Sequence, residues 1–469
     1  MSYLQQVIKD GPAHYVLPRV GKMLVEVHAF LSENLFAQTD EALWKQAADS
    51  ATTPGAIGMY LLPDTHLGYQ LPVGGVLVTE DTILQAGSGY DISCGVLFMQ
   101  VKGIDAGDVA DWDKRMKWVR SVEAHVGMGL GVGANKATGE RKIEDILRYG
   151  AKAIGVSSDL CERQYIPIDE NVNLNSIKDA RAKAGLQLGS LGSGNHFLEM
   201  QVDAIDGSVW VMIHCGSRGY GYKTAEHFFK EGAKLRGLPP GRREESWLRL
   251  DEPLGAEYWS HHNAAANFAV ANRWTIVHGV RAALHDVFGA EASPYFEISH
   301  NLVQEETVLL PDGSFQNGFV HRKGSTRAFP AGHPDLNGMK WEKTGHPCLI
   351  PGSMLHGAAI LFPLEGAKRS GYSVNHGSGR LMGRNAAKKD LASMHDDIDK
   401  EMRDILRTFE TSKGPIQIKG IACNTARIPL DECSHVYKDL DEVLGVLTTE
   451  KIARIERRLY PVANLKGMD

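Results

Sequence analysis

The chain has 469 residues, 43% hydrophobic and 23% charged, with a formal net charge of −6. These values argue against a disordered or membrane-embedded chain, and against a protein that coats nucleic acid with a generally basic domain, while leaving room for a local basic patch. Six cysteines (Cys94, Cys161, Cys215, Cys348, Cys423, Cys433) form no C-x-x-C pair, so neither a disulfide framework nor a zinc ribbon is expected. Reduced thiols, no signal-peptide core and no run near the ~18 apolar residues of a spanning helix point to a cytoplasmic protein without membrane association.

Residues 59–80 (MYLLPDTHLGYQLPVGGVLVTE) read as two apolar strands separated by a polar break at Asp64 and His66, which suits either a turn or the edge of an active site. In residues 87–96 (GSGYDISCGV), Asp91 and Cys94 stand three apart among glycines. A hard oxygen and a soft sulfur can serve a transition metal if imidazoles arrive from elsewhere. Alone, the pair also reads as a capped turn beside a buried thiol. A third strand covers 94–101, and a helix over 109–122 is expected to face a core with Trp112, Met116 and Val119.

Residues 127–136 are glycine-rich but lack the G-K-[ST] ending of a phosphate loop, so they read as a mobile loop. The stretch 137–185 is polar and helix-prone. Next comes LGSLGSGNHFLE (188–199), and then an apolar strand over 209–213 that delivers His214 ahead of Cys215. Taken singly, His196 and His214 could each be a hydrogen-bonded structural histidine.

A long helix over 264–288 carries an apolar face of Phe268, Ile276, Val280, Leu284 and Val287, with His278 and His285 as exposed or packing residues. His300 ends the next apolar segment. Pro311-Asp312-Gly313 is a hairpin turn leading to the basic run His321, Arg322, Lys323 and Arg327, either a phosphate-contact patch or a solvated hairpin end. The turn 351–354 (PGSM) precedes an apolar segment at 358–361. Beyond SVNHGSGR (373–380), a helix over 385–409 is expected to bury Leu391, Met394, Ile398, Met402 and Phe409, with Arg380, Arg384 and Lys388 on one face near His376. No repeat, low-complexity tract or linker interrupts the chain, so residues 1–469 are read as one domain.

Together Asp91, Cys94, His196, His214 and His300 supply a carboxylate, a thiolate and three imidazoles, enough for two Mn²⁺, Zn²⁺ or Fe²⁺ ions at the ~3.5–4 Å spacing of phosphoryl-transfer sites. His376 stands outside this set, between Asn375 and a Gly-Ser-Gly loop followed by Arg380. An imidazole so placed can attack phosphorus, with the loop amides and Arg380 to steady the phosphate.

The ordered motifs PDTHLGY (63–69), GYDISCG (89–95), GSGNHFLE (192–199), HCGSRG (214–219), SHN (299–301), HRKG (321–324), PGSM (351–354), NHGSGR (375–380) and NLKG (464–467) closely resemble the RtcB family of RNA-splicing ligases. The resemblance spans residues 59–467. It implies an α/β (α+β) fold, with sheets and flanking helices around one metal and nucleotide cleft. It also implies GTP- and Mn²⁺-dependent joining of RNA 3′-phosphate or 2′,3′-cyclic phosphate ends to 5′-hydroxyl ends, with RNA and GTP as partners and an archease-like activator possible.

By the same resemblance, Asp91 and His196 hold one Mn²⁺, His214 and His300 the other, and Cys94 bridges them. His376 becomes the guanylylated nucleophile. The nucleotide-binding positions fall on Asn195, His196, Phe197, Leu198, Glu199, His300, Asn301, Pro351, Gly352, Ser353, Met354, His376, Gly377, Ser378, Gly379 and Lys466. Three residues depart from the family pattern: Cys215 and Ala358 stand where serine is common, and Ser378 where alanine is. The alternatives are a two-metal phosphoesterase without guanylylation and a non-catalytic RNA- or nucleotide-binding paralogue.

Overall fold

The computed structural model describes residues 2–129, 140–156, 166–310 and 313–467. Most of the expected loop over 127–136, the first two residues of the turn at 311–313, and Cys161 lie outside the described residues.

Two large sheets carry the structure. The first runs, strand beside strand, through Ile8–Lys9, His14–Leu17, Val27–Phe30, Ala56–His66, Val73–Thr79, Phe315–Lys323 and Asn301–Leu309. The second runs through Glu291–Ser299, Gly95–Asp105, Ser208–Cys215, Phe197–Asp203, Ala453–Leu465, Ala358–Pro363 and Cys348–Pro351, with Ala422–Cys423 beside Ala453–Leu465. One strand of the second sheet ends at Ser299 and one of the first begins at Asn301, so the chain crosses between them at His300.

Alternation along Gly95–Asp105 explains why the second sheet is covered on both faces. Leu97, Met99 and Val101 join the largest hydrophobic cluster, while Val96 and Phe98 join a smaller one with Trp210, Met212 and Ile360. Against the larger cluster lies the helix Pro253–Phe288, buried from Tyr258 to Leu284 over most of its circumference. A helix buried all round over its middle turns, with exposed residues such as His278, Arg281 and His285 confined to its ends, belongs largely in the interior.

That helix begins eleven residues before the expected start at 264, because Pro253 sits in its first turn, where a missing N–H costs nothing. Phe268, Ile276, Val280 and Leu284 are buried as expected, and His278 and His285 are exposed. The helix expected over 109–122 is Trp112–His125, and its buried face is Arg115, Trp118, Val119 and Val122, whereas Trp112 is exposed.

The helix expected over 385–409 is broken. It comprises Arg384–Asp390, a 3-10 turn at Ala392–Met394, and His395–Asp404, after which Leu406–Phe409 pairs as a strand with Ile416–Lys419. Helical periodicity misleads here because Leu391, Ile398 and Met402 do share one cluster, but Phe409 packs into another and Met394 is exposed. The described cysteines, Cys94, Cys215, Cys348, Cys423 and Cys433, are all free. Among the described residues no helix is long and apolar enough to cross a membrane.

Candidate active site

Four neighbouring strands of the second sheet end on one row. Ser299 pairs with Gly95, Gly95 with Cys215, Val96 with His214, and His214 with Phe197. This register brings Cys94, His196, His214 and His300 to one end of the sheet, although 206 residues separate the first from the last. The crossover is tied down by His300 N–H donating to Cys94 O at 2.8 Å and Ser93 N–H to Asn301 O at 2.6 Å.

The five metal-type side chains form two groups, Asp91–Cys94–His196 and Cys94–His214–His300, which share Cys94. Cys94 Sγ lies 3.5 Å from His196 Nε2 and 3.3 Å from His214 Nε2. His196 Nε2 is 2.8 Å from Asp91 Oδ2, and the Nε2 atoms of His214 and His300 are 3.2 Å apart. Asp91 is held from its other side, where Ser217 N–H and Oγ–H donate to Oδ1 at 3.0 and 3.2 Å. Gly216 permits this approach, since a Cβ there would sit 2.3 Å from Asp91 Oδ2.

Tautomers follow from the surroundings. His196 Nδ1 is 3.0 Å from Leu191 O and must donate to it, which turns Nε2 toward Asp91 and Cys94, where it carries a proton unless a cation takes its place. Burial opposes charge on His196, yet the sulfurs of Cys215 and Cys94 and the Asp91 carboxylate lift its imidazole well above the usual value. Burial also opposes charge on Asp91, but His196 and Arg218 outweigh it and hold the carboxyl at about 2. The first group therefore favours positive charge between its members.

In the second group, burial and the neighbouring imidazoles hold His214 and His300 well below the usual histidine value, so they stay neutral with lone pairs available. Burial and Asp91 push the Cys94 thiol up to about 11. A thiolate at this position thus requires a cation beside it. Converging imidazole, carboxylate and sulfur donors with these preferences fit two divalent transition-metal ions.

Beside this row opens a cleft of about 610 Å³, within the usual range for small-molecule sites. His376 stands in its wall, its ring 4.9 Å from that of His300. Asp64 Oδ2 is 2.7 Å from His376 Nδ1 and accepts from His376 N–H at 3.2 Å. With Nδ1–H committed to Asp64, the His376 Nε2 lone pair is left unshared. The polar break at Asp64 is therefore not a plain turn: Asp64 lies within the strand Ala56–His66 and backs His376 in the cleft wall.

Asp64 is fully buried, and the lysine behind it, Lys438, donates to Thr65 O at 2.8 Å and Pro63 O at 3.3 Å. Gly379 lets the 375–380 loop press on this strand, because a Cβ would lie 2.3 Å from Asp64 O. Sequence reasoning missed both Lys438 and the pairing of Asp64 with His376. The signal for the pairing was present, a buried-type carboxylate at the end of an apolar strand.

The other expected positions divide. Asn195, Phe197, Asn301, Pro351, Gly352, Gly377, Ser378 and Gly379 line the cleft. Leu198 instead packs in the main core, and Glu199 accepts from Gln201 and Asn464, with burial lifting its carboxyl to about 7. Ser353 pairs with His356, and Met354 joins a separate apolar cluster. Lys466 is buried, donating to Glu432 at 2.8 Å and Gly194 O at 3.0 Å.

The basic run is neither solvated nor a uniform patch. His321 accepts from Leu84 N–H, Arg322 is paired with Glu306, and Arg327 donates to Gln304, all buried. Lys323 alone faces the cleft, with burial lowering its ammonium to about 7. Arg384 and Lys388 share a helix face as expected, and Arg380 and Arg384 line the cleft with His376, but Arg380 is not on that helix. Arg380 precedes the helix, Arg384 opens it, and Asp431 and Glu432 neutralise them, at 2.9 and 2.6 Å for Arg384 and 3.7 Å for Lys388.

A model of the family described as "tRNA-splicing ligase RtcB" matches residues 46–467. The chain belongs to the RtcB family. Its relatives include the tRNA-splicing ligase RtcB of Thermococcus kodakarensis, 33% identical over 90% of each chain. That of Archaeoglobus fulgidus is 31% identical over 95% of each. The RNA-splicing ligase RtcB of Mycobacterium bovis is 30% identical over 90% of this chain and all of the relative.

Two of the three departures from the RtcB pattern have a physical account. Cys215 replaces a hydroxyl with a thiol that still donates, to Leu191 O at 3.0 Å, and accepts from Asn272 Nδ2–H at 3.1 Å. Ala358 is fully buried at the start of Ala358–Pro363, paired with Pro351 of the cleft wall but not lining the cleft itself, so an alanine there leaves no unpaired buried hydroxyl. Ser378 adds an unbonded hydroxyl beside the cleft.

Proposed function

We propose that this protein is an RNA ligase that joins a 3′-phosphate or 2′,3′-cyclic phosphate end to a 5′-hydroxyl end, using GTP and two Mn²⁺ ions through a covalent guanylate on His376. The observation that carries this reading is the Asp64–His376 pair, which leaves one ring nitrogen unshared in a cleft beside two metal-type donor groups. Membership of the RtcB family supports the same conclusion. A phosphoesterase using the donor groups alone would have no use for such a pair.

Asp91 and His196 would hold one ion and His214 and His300 the other, with Cys94 between them. When bound, the ions supply charge neutralisation to phosphate oxygens. The chain's own residues do the rest. His376 Nε2 attacks the α-phosphorus of GTP, forming an N–P bond as the bond to pyrophosphate breaks, and Asp64 stabilises the positive charge that grows on the ring. A 2′,3′-cyclic phosphate must first be opened by water, which breaks the P–O2′ bond and leaves a 3′-phosphate. An oxygen of that phosphate then takes the guanylate as the His376 N–P bond breaks, and the 5′-hydroxyl attacks the 3′-phosphorus and displaces GMP. Asn195, Phe197, Pro351, Gly352 and the 377–379 loop would seat the nucleotide. Lys466 would join them by leaving Glu432.

Incubation with Mn²⁺ and α-labelled GTP, followed by denaturing electrophoresis, is expected to leave label on the protein that acid removes and base does not. No covalent label would overturn the ligase reading. Elemental analysis tests the metal groups: Cys94→Ala should lose both ions because both groups share that sulfur, whereas His300→Ala should chiefly weaken one. Two ions retained in Cys94→Ala would refute the bridge.

A further inference from the structure

The mouth of the cleft carries an aromatic surface that guanylylation does not use. Tyr69 is 60% exposed, Leu67 50% and Tyr222 48%. Tyr90 joins the two tyrosines, meeting Tyr69 edge-on at 5.7 Å and stacking on Tyr222 at 5.3 Å with 27° between the planes. It is itself anchored by the buried ring of Phe229 at 5.0 Å, and its hydroxyl donates to Glu244 at 2.6 Å. Tyr90 directly precedes Asp91 of the first metal-type group, so this surface leads into the reacting centre.

The backbone displaying Tyr69 is clamped. Gln46 bonds Gly68 in both directions, at 2.6 and 3.0 Å, Ser50 Oγ–H donates to Gln70 O at 2.8 Å, and Lys323 donates to Tyr69 O at 2.5 Å. Tyr222 projects from the regular helix Arg218–Leu235. Single exposed rings are unremarkable on a protein surface, but adjoining ones on fixed backbone at the rim of a cleft mark a binding surface. Lysines flank the rings: the buried Lys323 lies 5.3 Å from the Tyr69 centroid, and Lys223, paired with Glu226 at 2.7 Å, lies 5.9 Å from that of Tyr222. Adjoining flat faces at the rim of a cleft suit the bases of a nucleic-acid strand, with Lys223 able to exchange Glu226 for a phosphate.

We propose that Tyr69, Tyr90 and Tyr222 form a stacking platform for bases of a single-stranded RNA end entering the cleft. This rests on the RNA-ligase reading and adds the path of the substrate. Stacking engages the faces of bases and not their edges, so the platform takes ends of any sequence but requires them unpaired.

The test compares RNA joining by the Mn²⁺-loaded protein and its Tyr69→Ala, Tyr222→Ala and Tyr222→Phe variants, normalised to the fraction that takes up GMP label without RNA. KM for an RNA with unstructured ends is expected to rise about 5-fold or more in each alanine variant and to return toward the parent in Tyr222→Phe. KM within about twofold of the parent in both alanine variants overturns the platform, as does a Tyr222→Phe variant as impaired as Tyr222→Ala. A 2-aminopurine near the RNA end supplies a measurement on the unaltered protein. Its fluorescence should be quenched on binding, and an unquenched bound probe overturns the proposal. A parent that takes up no GMP sinks the ligase reading instead, while the quenching measurement still decides the platform.

Discussion

Replacing His376 with alanine is expected to remove all covalent GMP and, with it, RNA joining, while the five metal-type side chains remain in place. His376 belongs to neither donor group, so its loss should separate guanylylation from metal content in the same preparation. Asp64→Asn gives the graded version. An asparagine oxygen can still accept from Nδ1–H, but it brings no negative charge to the ring, and a flipped amide would donate to Nδ1 and hold the wrong tautomer. Labelling should slow by about 10²–10⁴-fold, as for loss of the carboxylate behind other catalytic histidines. Single-turnover labelling with quenched time points measures it. Full label on His376→Ala would place the nucleophile elsewhere.

A second large effect is expected behind the donor row, at Arg273. This guanidinium, fully buried with Glu297 at 2.5 Å, also donates to Ser93 O at 2.7 Å, Cys215 O at 2.8 Å and Ser299 Oγ at 3.3 Å. Those three residues adjoin Cys94, His214 and His300, so one side chain on the long helix steadies the backbone behind three donors. Arg273→Met should destabilise the fold by about 3–5 kcal/mol, because it strands a buried carboxylate. It should also weaken metal binding by about 10–100-fold through loss of that backing.

The stability deficit should depend on pH. Burial already lifts the Glu297 carboxyl above its usual range with Arg273 present, and once the cation is gone only the Trp274 Nε1–H bond at 2.7 Å opposes burial. A carboxyl raised in the folded state binds its proton more tightly there than in the unfolded chain. The deficit is therefore complete above the raised value and fades as pH falls toward about 4.3, the value for free glutamate. Urea midpoints at pH 8 and pH 5 check this, and an equal deficit at both would contradict the assignment.

How much of this was readable beforehand depends on where the information resides. Asp91, Cys94, His196, His214 and His300 sit in compact motifs whose residue types already announce their chemistry, and the fold brings them together. Asp64, Lys438 and Arg273 carry no motif of that kind. Their roles arise from contacts across tens to hundreds of residues, such as the 58 between Arg273 and Cys215 and the 312 between Asp64 and His376, and a single sequence records nothing about such pairs. Leu198 and Met354 show the converse. Neighbours in sequence share a motif, but alternation along a strand or a turn sends adjacent side chains to opposite sides. The broken helix after Arg384 failed for a third reason, since helical spacing reports which residues are apolar and not which core each one joins.

The row of strand ends that carries the donors has a final consequence. Adjacent strands stand about 4.8 Å apart, a distance set by backbone hydrogen bonds and indifferent to side-chain identity. The separation of the donor groups is thus inherited from the peptide ladder, and it can change only in whole steps of pairing. A slip of one residue along Ser208–Cys215 would bring Ile213 or Cys215 to the place of His214 and turn the imidazole to the other face. Surrounding loops can lengthen, and peripheral helices can drift, while the spacing of the centre stays as the sheet dictates. The ruler for the chemistry is built into the part of the molecule least able to stretch.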